Sequence, residues 1–359
     1  MGQDVWVLGA SGRSGRAIAA RLSASGHRVV LAGRDADRLA AVATTLGGAG
    51  VGGGDVGGVE VVTGSLVEVL ALLRRAAPAV VVSTVGPFAH TAAQVVDACP
   101  PGTSYVDIGN ELPGTQAVLD RHDHAVAQGS TFVTAAGFGA LATEAAAIVV
   151  CGGRAAPSSL RVDAVPSLAT AGDAIGEALA GSILDGAPAG GRRVAGGRLV
   201  RFPVAGARRV LRTPDGATVT TASLPSGDLL AAWRASGATS VVSATSAIPS
   251  GLAVRAAFPV MGLALRSPAL RRQALARLAR VRLPTEDRPR PWSWGHARGE
   301  WADGTAQEVW LRLGDAQEFT EAAAAEVAAR LLTPPRPGAF TPAALFGSSL
   351  ATDLGAEFV

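Results

Sequence analysis

Three glycines stand between an apolar run and an alanine-rich stretch near the start of the chain: Gly9, Gly12 and Gly15. The run at 5–8 has the composition of a buried parallel strand, and the stretch at 16–24 that of a helix. At such a junction the first glycine permits a tight turn, the second lets backbone N–H groups approach a pyrophosphate, and the third lets the helix pack closely on the strand. A second apolar run at 29–32 follows at the distance that a βαβ unit requires. The pattern predicts a dinucleotide-binding loop rather than a purely structural glycine turn.

The end of the second predicted strand indicates which dinucleotide is bound. NAD sites usually place an Asp or Glu there to accept the ribose 2′-OH, whereas NADP sites supply an arginine for the 2′-phosphate. Here the strand ends in a glycine and Arg34, and the first carboxylate is Asp35. Arg34 and, from the glycine loop, Arg13 are expected to bind the 2′-phosphate, although two solvated arginines would give the same pattern. Ser11 and Ser14 are expected to donate hydrogen bonds to the phosphates, and the predicted cofactor is NADPH.

Composition narrows the classes of function. The chain has 359 residues, which suits two domains, and 48% of them are hydrophobic. Lysine is absent, which excludes Schiff-base chemistry, and the net charge of +3 gives no general case for nucleic-acid binding. The two cysteines lack metal-ligand spacing and suit a reducing compartment. No signal peptide is recognisable, and no uncharged apolar window reaches about 18 residues, so a cytoplasmic protein is expected. A bound metal is not expected.

Alternating strand and helix patterns over residues 1–143 predict an α/β domain on a Rossmann-type, doubly wound parallel sheet that binds NADP. Residues 144–334 contain shorter strand-like runs separated by turns, which predicts a second, α+β domain on a mainly antiparallel sheet, for substrate binding and dimerisation. Within it, the turn at 214–216 predicts a hairpin between Val210 and Val219. The tail at 335–359 is expected to return to the first domain.

Four segments together resemble the saccharopine dehydrogenase-like superfamily, which includes saccharopine reductases and trans-acting enoyl reductases. They are the glycine loop, Val-Val-Ser-Thr-Val-Gly-Pro-Phe at 81–88, Tyr-Val-Asp-Ile-Gly-Asn-Glu at 105–111 with Ala-Ala-Gly-Phe-Gly at 135–139, and Pro-Gly-Ala-Phe-Thr-Pro at 337–342 with Phe-Gly at 346–347. The resemblance covers roughly the first 150 and the last 50 residues. It implies NADPH-dependent reduction of a C=N or C=C bond, on a Rossmann domain with a separate substrate domain.

The chain departs from this pattern in two places. Many relatives carry Gly-Phe-Asp-Ser where this chain has Gly-Phe-Gly-Ala at 137–140, and Thr-Gly-Glu is commoner where it has Gly-Asn-Glu at 109–111. A side-chain contact expected near the nicotinamide or the substrate is therefore missing, and the substrate stays open.

The carboxyl ends of the predicted strands indicate the remaining site residues, because ligands bind at that edge of an open α/β sheet. The residues there that are expected to contact the nicotinamide half of the cofactor are Thr84, Gly86, Pro87, Gly137 and Phe138. Glu111 is the favoured acid or base, with Asp107 as a second candidate that could instead cap the following turn. His90 could reach the same pocket, and Phe138 could equally be a core residue.

Three functions remain open. The first is reduction of an activated C=C bond in a small-molecule or carrier-bound substrate of polyketide or lipid type, the second is reduction of an imine, and the third is NADPH binding for regulation without turnover. The apolar and then arginine-rich segment at 251–283 predicts a cover for the second domain or a homodimer interface. Alternatively it binds an acyl carrier protein, a CoA-type phosphate or a membrane surface.

Overall fold

The protein's structure is a computed structural model that describes residues 4–47, 59–167, 170–171, 180–181, 184, 190–248, 262–265, 267–282, 285–286, 290–333 and 336–359. The chain forms two compact units. The first unit comprises residues 1–109, 114–137 and 320–341, and the second comprises 110–113, 138–319 and 342–359.

The strands among the described residues are, in chain order, β1 (Val5–Leu8), β2 (Val29–Gly33), β3 (Glu60–Thr63), β4 (Val80–Ser83), β5 (Ser104–Asp107), β6 (Thr131–Val133), β7 (Ser159–Val165), β8 (Thr170–Ala171), β9 (Arg192–Ala195), β10 (Arg198–Arg201), β11 (Arg209–Arg212), β12 (Thr218–Ser223), β13 (Ser240–Thr245), β14 (Thr285–Glu286), β15 (Ser293–Glu300), β16 (Ala306–Leu313), β17 (Gly338–Phe340) and β18 (Glu357–Phe358).

The helices among the described residues are α1 (Arg13–Ala24), α2 (Ala36–Thr45), α3 (Leu66–Ala76), α4 (Phe88–Val96), α5 (Leu112–Leu119), α6 (His122–Gln128), α7 (Phe138–Cys151), α8 (Gly227–Ser236), α9 (Pro268–Ala279), α10 (Ala316–Arg330), α11 (Pro342–Phe346) and α12 (Ser349–Asp353). Within the described ranges, every helix is too short or too polar to cross a bilayer.

The first unit is built on a sheet with the strand order β17-β6-β5-β4-β1-β2-β3. Each strand runs parallel to its neighbours. Two βαβ halves therefore meet between β1 and β4, and the predicted Rossmann-type, doubly wound sheet is confirmed. β1 and β4 are buried along their whole length, as continuous apolar runs in the middle of a parallel sheet require.

The second unit is built on a mixed sheet with the order β10-β9-β13-β7-β15-β16-β18, to which β12 and β11 add beyond β13. Only the β13–β7 pairing among those described is parallel, so the predicted mainly antiparallel sheet is confirmed. Helix α7 packs on one face of this sheet, where Leu160, Val162 and Ala297 form a core cluster with Ala146 and Val150. Alternation along the strands leaves a second face for polar residues.

The structure divides the chain at other residues than those predicted. The predicted boundary after residue 143 falls inside α7, which belongs to the second unit. Of the predicted returning tail, β17 joins the first unit, whereas 342–359 belong to the second. Two contacts hold this tail in the second unit. The buried carboxylate of Glu144 in α7 accepts hydrogen bonds from the N–H groups of Ala343 (2.9 Å) and Ala344 (3.1 Å) in α11, and β18 pairs with β16.

The predicted hairpin at 214–216 is present as β11 and β12, but its register differs by one residue. Val219 lies opposite Leu211 instead of Val210. The N–H of Thr213 donates to the carbonyl of Ala217 over 2.9 Å, and this closing pair fixes the register that follows.

Part of the segment predicted to be a cover, an interface or a binding surface falls outside the described residues. Residues 249–261, which hold most of its apolar run, are not described. Its arginine-rich part forms α9, which has no buried residue. Residues 173–184, whose sequence also predicts a helix, lie largely outside the described residues as well.

Candidate functional site

The glycine loop between β1 and α1 is closed so tightly that side chains would not fit. Gly9 has φ +79°, a conformation that favours glycine, and its carbonyl oxygen accepts a hydrogen bond from the N–H of Gly12 over 2.9 Å. A Cβ on Gly15 would lie 2.3 Å from the same oxygen, and one on Gly12 would lie 3.2 Å from it. The loop can therefore close on itself only with glycine at these positions, as the tight turn of a pyrophosphate-binding loop requires.

Helix α1 begins directly after this loop and presents its N-terminus there. Gly12 occupies the N-cap and has no side chain that could cap the first-turn N–H groups. First-turn N–H groups and the positive end of the helix dipole attract an anion such as a phosphate. Arg13 is exposed, and Ser11 and Ser14 are half-buried beside it along the chain. The loop and the helix end together fit the diphosphate of a dinucleotide.

The end of β2 places an arginine where a carboxylate would select NAD. Gly33 ends the strand, and Arg34 follows it as an exposed residue. The first carboxylate, Asp35, is the N-cap of α2, and its Oδ1 accepts a hydrogen bond from the N–H of Arg38 over 3.0 Å. Asp35 is therefore engaged in capping its own helix.

The end of β4 adjoins the glycine loop in the first unit. The Thr84 hydroxyl donates to the carbonyl of Leu8 over 2.8 Å, and its Oγ1 would lie 2.6 Å from a Cβ on Gly9. Thr84 thus fixes the end of β1 against β4. The peptide bond between Gly86 and Pro87 is cis, and Pro87 is the N-cap of α4.

His90 lies in the first turn of α4 and is exposed. The same helix begins with Phe88, whose ring is buried against Gly109. A Cβ on Gly109 would lie only 2.5 Å from Phe88 Cγ, so only glycine leaves room for the ring. The aromatic residue of the Gly-Pro-Phe segment is thus a packing residue that joins α4 to the loop after β5.

Asp107 ends β5, is buried, and accepts four hydrogen bonds. Its Oδ1 accepts from the N–H groups of Gly109 (2.9 Å) and Ala135 (3.0 Å) and from the Thr134 hydroxyl (3.1 Å), and its Oδ2 accepts from the Tyr105 hydroxyl (2.8 Å). Burial raises the pKa of Asp107 to about 6, although the hydrogen bonds oppose that rise. These contacts make Asp107 a residue that positions the loops after β5 and β6, and its predicted acid–base role stays a prediction.

Gly137 and Phe138 follow β6 at the transition from one unit to the other. A Cβ on Gly137 would lie 3.1 Å from Thr320 Cγ2 in the first unit. Phe138 begins α7 in the second unit and is buried, with 7% of its surface exposed. The predicted contact of these two residues with the nicotinamide stays a prediction.

The second unit brings together a polar cluster of Asn110, Glu111 and the start of α8. Glu111, which is half-buried, pairs through its backbone with Ser226, and the N–H of Gly227 donates to the carbonyl of Asn110 over 2.9 Å. The favoured acid or base is thus held on a fixed backbone.

Asp228 is a member of this cluster that the sequence analysis missed. It is 3% exposed, and a Cβ on Gly139 would lie 2.9 Å from its Oδ1 and 2.8 Å from Asn110 Nδ2. Burial raises the pKa of Asp228, against the hydrogen bonds from Asn110 and Ser226 that lower it. Glycine at 139 leaves the space that this carboxylate fills. Ser-Gly-Asp before an apolar run is a helix-start pattern that could have located α8, but not its neighbour Asn110.

Among the described residues, no three His, Cys, Asp or Glu side chains lie close enough to hold a metal ion.

The comparison with known families agrees with this geometry. Residues 5–133 match the model of the family described as the saccharopine dehydrogenase NADP binding domain. The first unit is thus a pyridine-nucleotide-binding domain, as predicted. No curated protein matches the sequence.

Solved structures that match the chain include two that span nearly its whole length. GenD2 from gentamicin A biosynthesis, in complex with NAD, is 14% identical, with 99% of this chain and 92% of that chain covered and a TM-score of 0.43. A probable dehydrogenase from Thermotoga maritima is 11% identical, with 98% and 94% covered and a TM-score of 0.45. A metagenomic short-chain oxidoreductase in complex with NADP is 18% identical over 37% of this chain and 80% of that chain, with a TM-score of 0.30. At these values the likenesses support no conclusion about activity.

Proposed function

We propose that the protein is an NADPH-dependent reductase acting on an activated C=C bond. The match of residues 5–133 to the saccharopine dehydrogenase NADP binding domain supports the nucleotide part of this proposal. The observation that carries the proposal is the glycine loop at Gly9, Gly12 and Gly15, closed on itself beneath a helix end without a side-chain cap. Such a loop binds a diphosphate through backbone N–H groups.

The preference for NADPH over NADH is supported by the end of β2. Arg34 is exposed directly after the strand, while the carboxylate of Asp35 is engaged with the N–H of Arg38. A guanidinium binds a phosphate monoester in a bidentate manner, whereas a ribose 2′-OH is best bound by a free carboxylate. Arg13, the first residue of α1, would supply a second positive charge for the 2′-phosphate.

Bound NADPH supplies a hydride, and the protein supplies binding, orientation and a proton. The N–H groups at the start of α1 would hold the diphosphate, and Arg34 would hold the 2′-phosphate. Asp107 keeps the loops after β5 and β6 in place through its four hydrogen bonds. Glu111, fixed by its backbone pairing with Ser226, donates the proton.

The proposed substrate is an enoyl thioester of polyketide or lipid type, either free or carrier-bound. Its activated C=C bond is the bond that is reduced. The test measures NADPH consumption by its absorbance with enoyl thioesters and, in parallel, with cyclic imines. Consumption with an enoyl thioester supports the proposal, and consumption with imines alone assigns C=N reduction instead. NADPH binding without consumption by either class would favour a regulatory role.

The proton donor is tested on the same assay. Glu111→Gln is expected to lower kcat by about 10²-fold or more while NADPH affinity is unchanged. Glu318→Gln, which removes an exposed carboxylate of α10, is the matched control and keeps full activity. Equal kcat in both variants would remove Glu111 from the mechanism.

A further inference from the structure

The second unit contains a pocket whose lining is dominated by arginine. It has a volume of about 290 Å³ and lies on the sheet at β7, β13 and β15, next to residues 207–209. Four of its ten lining residues are arginines, and one is acidic. They are Arg161, Arg208, Arg209, Arg298 and Glu300. Arg161 is paired with Asp163, and Arg298 with Glu300 and Glu308, so the charge that no described carboxylate offsets is that of Arg208 and Arg209.

This pocket lies on the face of the sheet opposite to α7. Leu160 and Ala297 pack with α7, and side chains alternate along a strand, so their neighbours Arg161 and Arg298 point to the other face. These two arginines are also directly opposite each other in the β7–β15 register. The pocket is therefore a different place from the glycine loop of the first unit, and the inference goes beyond the proposed function.

A buried ion pair forms the base of the pocket. Arg161 is 7% exposed, and its Nε lies 3.0 Å and its Nη2 2.7 Å from carboxylate oxygens of Asp163, which is fully buried. The same guanidinium donates from Nη1 to the carbonyl of Ala207 over 2.8 Å. Because Ala207 immediately precedes Arg208 and Arg209, the buried arginine fixes the backbone that carries these two exposed cations.

That backbone is held in an unfavourable conformation. Ala205 has φ +56° and Ala207 has φ +39°, both in the left-handed region that disfavours alanine. Such strain persists only where the surrounding contacts enforce it, and it is common at ligand sites. Arg208 and Arg209 directly follow this backbone, and both line the pocket.

The lining arginines differ in how far their charge is offset within the part of the chain that the structure describes. Neither Arg208 nor Arg209 has an ion pair with a described carboxylate, whereas Arg298 lies 3.3 Å from Glu300 and 3.4 Å from Glu308. Adjacent cations repel each other at short range, and an anion between them removes that repulsion. Planar guanidinium groups match phosphate oxygens in a bidentate geometry.

We propose that this pocket binds a phosphate-bearing small molecule through Arg208, Arg209 and Arg298, above the fixed Arg161. Its volume accommodates a phosphate or diphosphate with a small organic group, and is below that of most sites for whole drug-sized ligands.

The test is calorimetric titration of the full chain with inorganic pyrophosphate at constant ionic strength. In Arg208→Gln/Arg209→Gln the affinity of the pocket falls at least tenfold, and in Arg298→Gln it falls measurably. Arg74→Gln/Arg75→Gln is the matched control, since it removes two adjacent exposed arginines of α3 in the first unit, and it binds as the wild type does.

Binding that is the same in Arg208→Gln/Arg209→Gln as in the wild type overturns the proposal, because all of it then belongs to the glycine loop. An equal loss in the control variant also overturns it, because the effect is then one of net charge. Citrate, titrated in parallel, is expected to bind at least tenfold more weakly than pyrophosphate at this pocket, and equal affinity would contradict the phosphate class. Circular dichroism of each variant confirms that it is folded.

Discussion

The carboxylate of Asp107 accepts a hydrogen bond from the backbone N–H of Ala135 over 3.0 Å, across 28 residues of sequence. This bond connects the ends of β5 and β6, two strands that end at the edge where an α/β sheet binds its ligand. Ala135 has φ +60°, so the contact also holds a strained backbone in place. The shape of this part of the site therefore depends on one buried acid.

Asp107 gives the protein a specific dependence of stability on pH. Burial raises the pKa of Asp107 from 3.8 to about 6 in the folded state, so that between pH 4 and 6 the folded protein binds more protons than the unfolded chain. Its contribution to stability is full below pH 4 and is lost as the pH rises through 6. As the pH rises from 4 to above 6, the free energy of unfolding, measured by denaturant titration, is expected to fall by about 2–3 kcal/mol because of Asp107.

Asp107→Asn isolates that contribution. The variant is less stable, because an amide nitrogen would face N–H donors, and its unfolding free energy lacks the component that changes between pH 4 and 6. An identical pH dependence in both proteins would mean that Asp107 ionises normally.

Gly15→Ala tests the closed glycine loop. The new Cβ would lie 2.3 Å from the carbonyl oxygen of Gly9, so the loop must open. We expect a loss of about 1–3 kcal/mol in stability and a weaker affinity for NADPH, measured by thermal unfolding and fluorescence titration. Gly314→Ala is the control, since a Cβ there meets nothing within 4 Å. An unchanged affinity in Gly15→Ala would show that the loop does not hold the nucleotide.

Arg34→Ala tests the choice of nucleotide. Loss of a charge-assisted contact to the 2′-phosphate is expected to weaken NADPH binding by roughly 10–100-fold and to leave NADH binding nearly unchanged. Arg75→Ala, at an exposed arginine of α3, serves as the control for net charge. Equal losses for NADPH and NADH would refute the assignment of Arg34 to the 2′-phosphate.

Asp163→Asn tests the buried ion pair of the second unit. Burial alone would raise the pKa of Asp163, but the hydrogen bond from His296 and the charge of Arg161 lower it to about 2. Its contribution to stability is present above pH 4 and is lost as the pH falls through 2. At pH 7 the variant is expected to lose about 3–5 kcal/mol, because Arg161 is left buried without its partner.

Asp303→Asn is the matched control for that loss. Its carboxylate is exposed and lies 3.8 Å from Arg154 Nη2, so its removal is expected to cost much less stability than Asp163→Asn does. A similar loss in both variants would show that the buried pair contributes no more than a surface pair.

Local patterns were sufficient to predict the first unit. The glycine loop, the apolar strands and the arginine after β2 are each encoded within a few neighbouring residues, and the parallel sheet follows from their alternation with helices. The mainly antiparallel character of the second sheet was also predicted, because its strands and the turn at 214–216 are locally encoded.

Contacts between distant residues could not be predicted in this way. Glu144 binds the N–H groups at 343–344, Asp228 lies against Gly139, and the partners of Asp107 come from two different loops. No local pattern encodes such pairs, because each depends on how remote segments fold together. The hairpin is a local case: the turn residues located it, but the closing pair of Thr213 and Ala217, which sets its register, was not predicted.

The measurement that tests the central claim most directly is fluorescence titration of the wild-type protein with NADPH and NADH under identical conditions. The glycine loop and Arg34 predict saturable binding of both, with NADPH bound about tenfold more tightly or better. Absence of binding for both nucleotides, or tighter binding of NADH, would contradict the account.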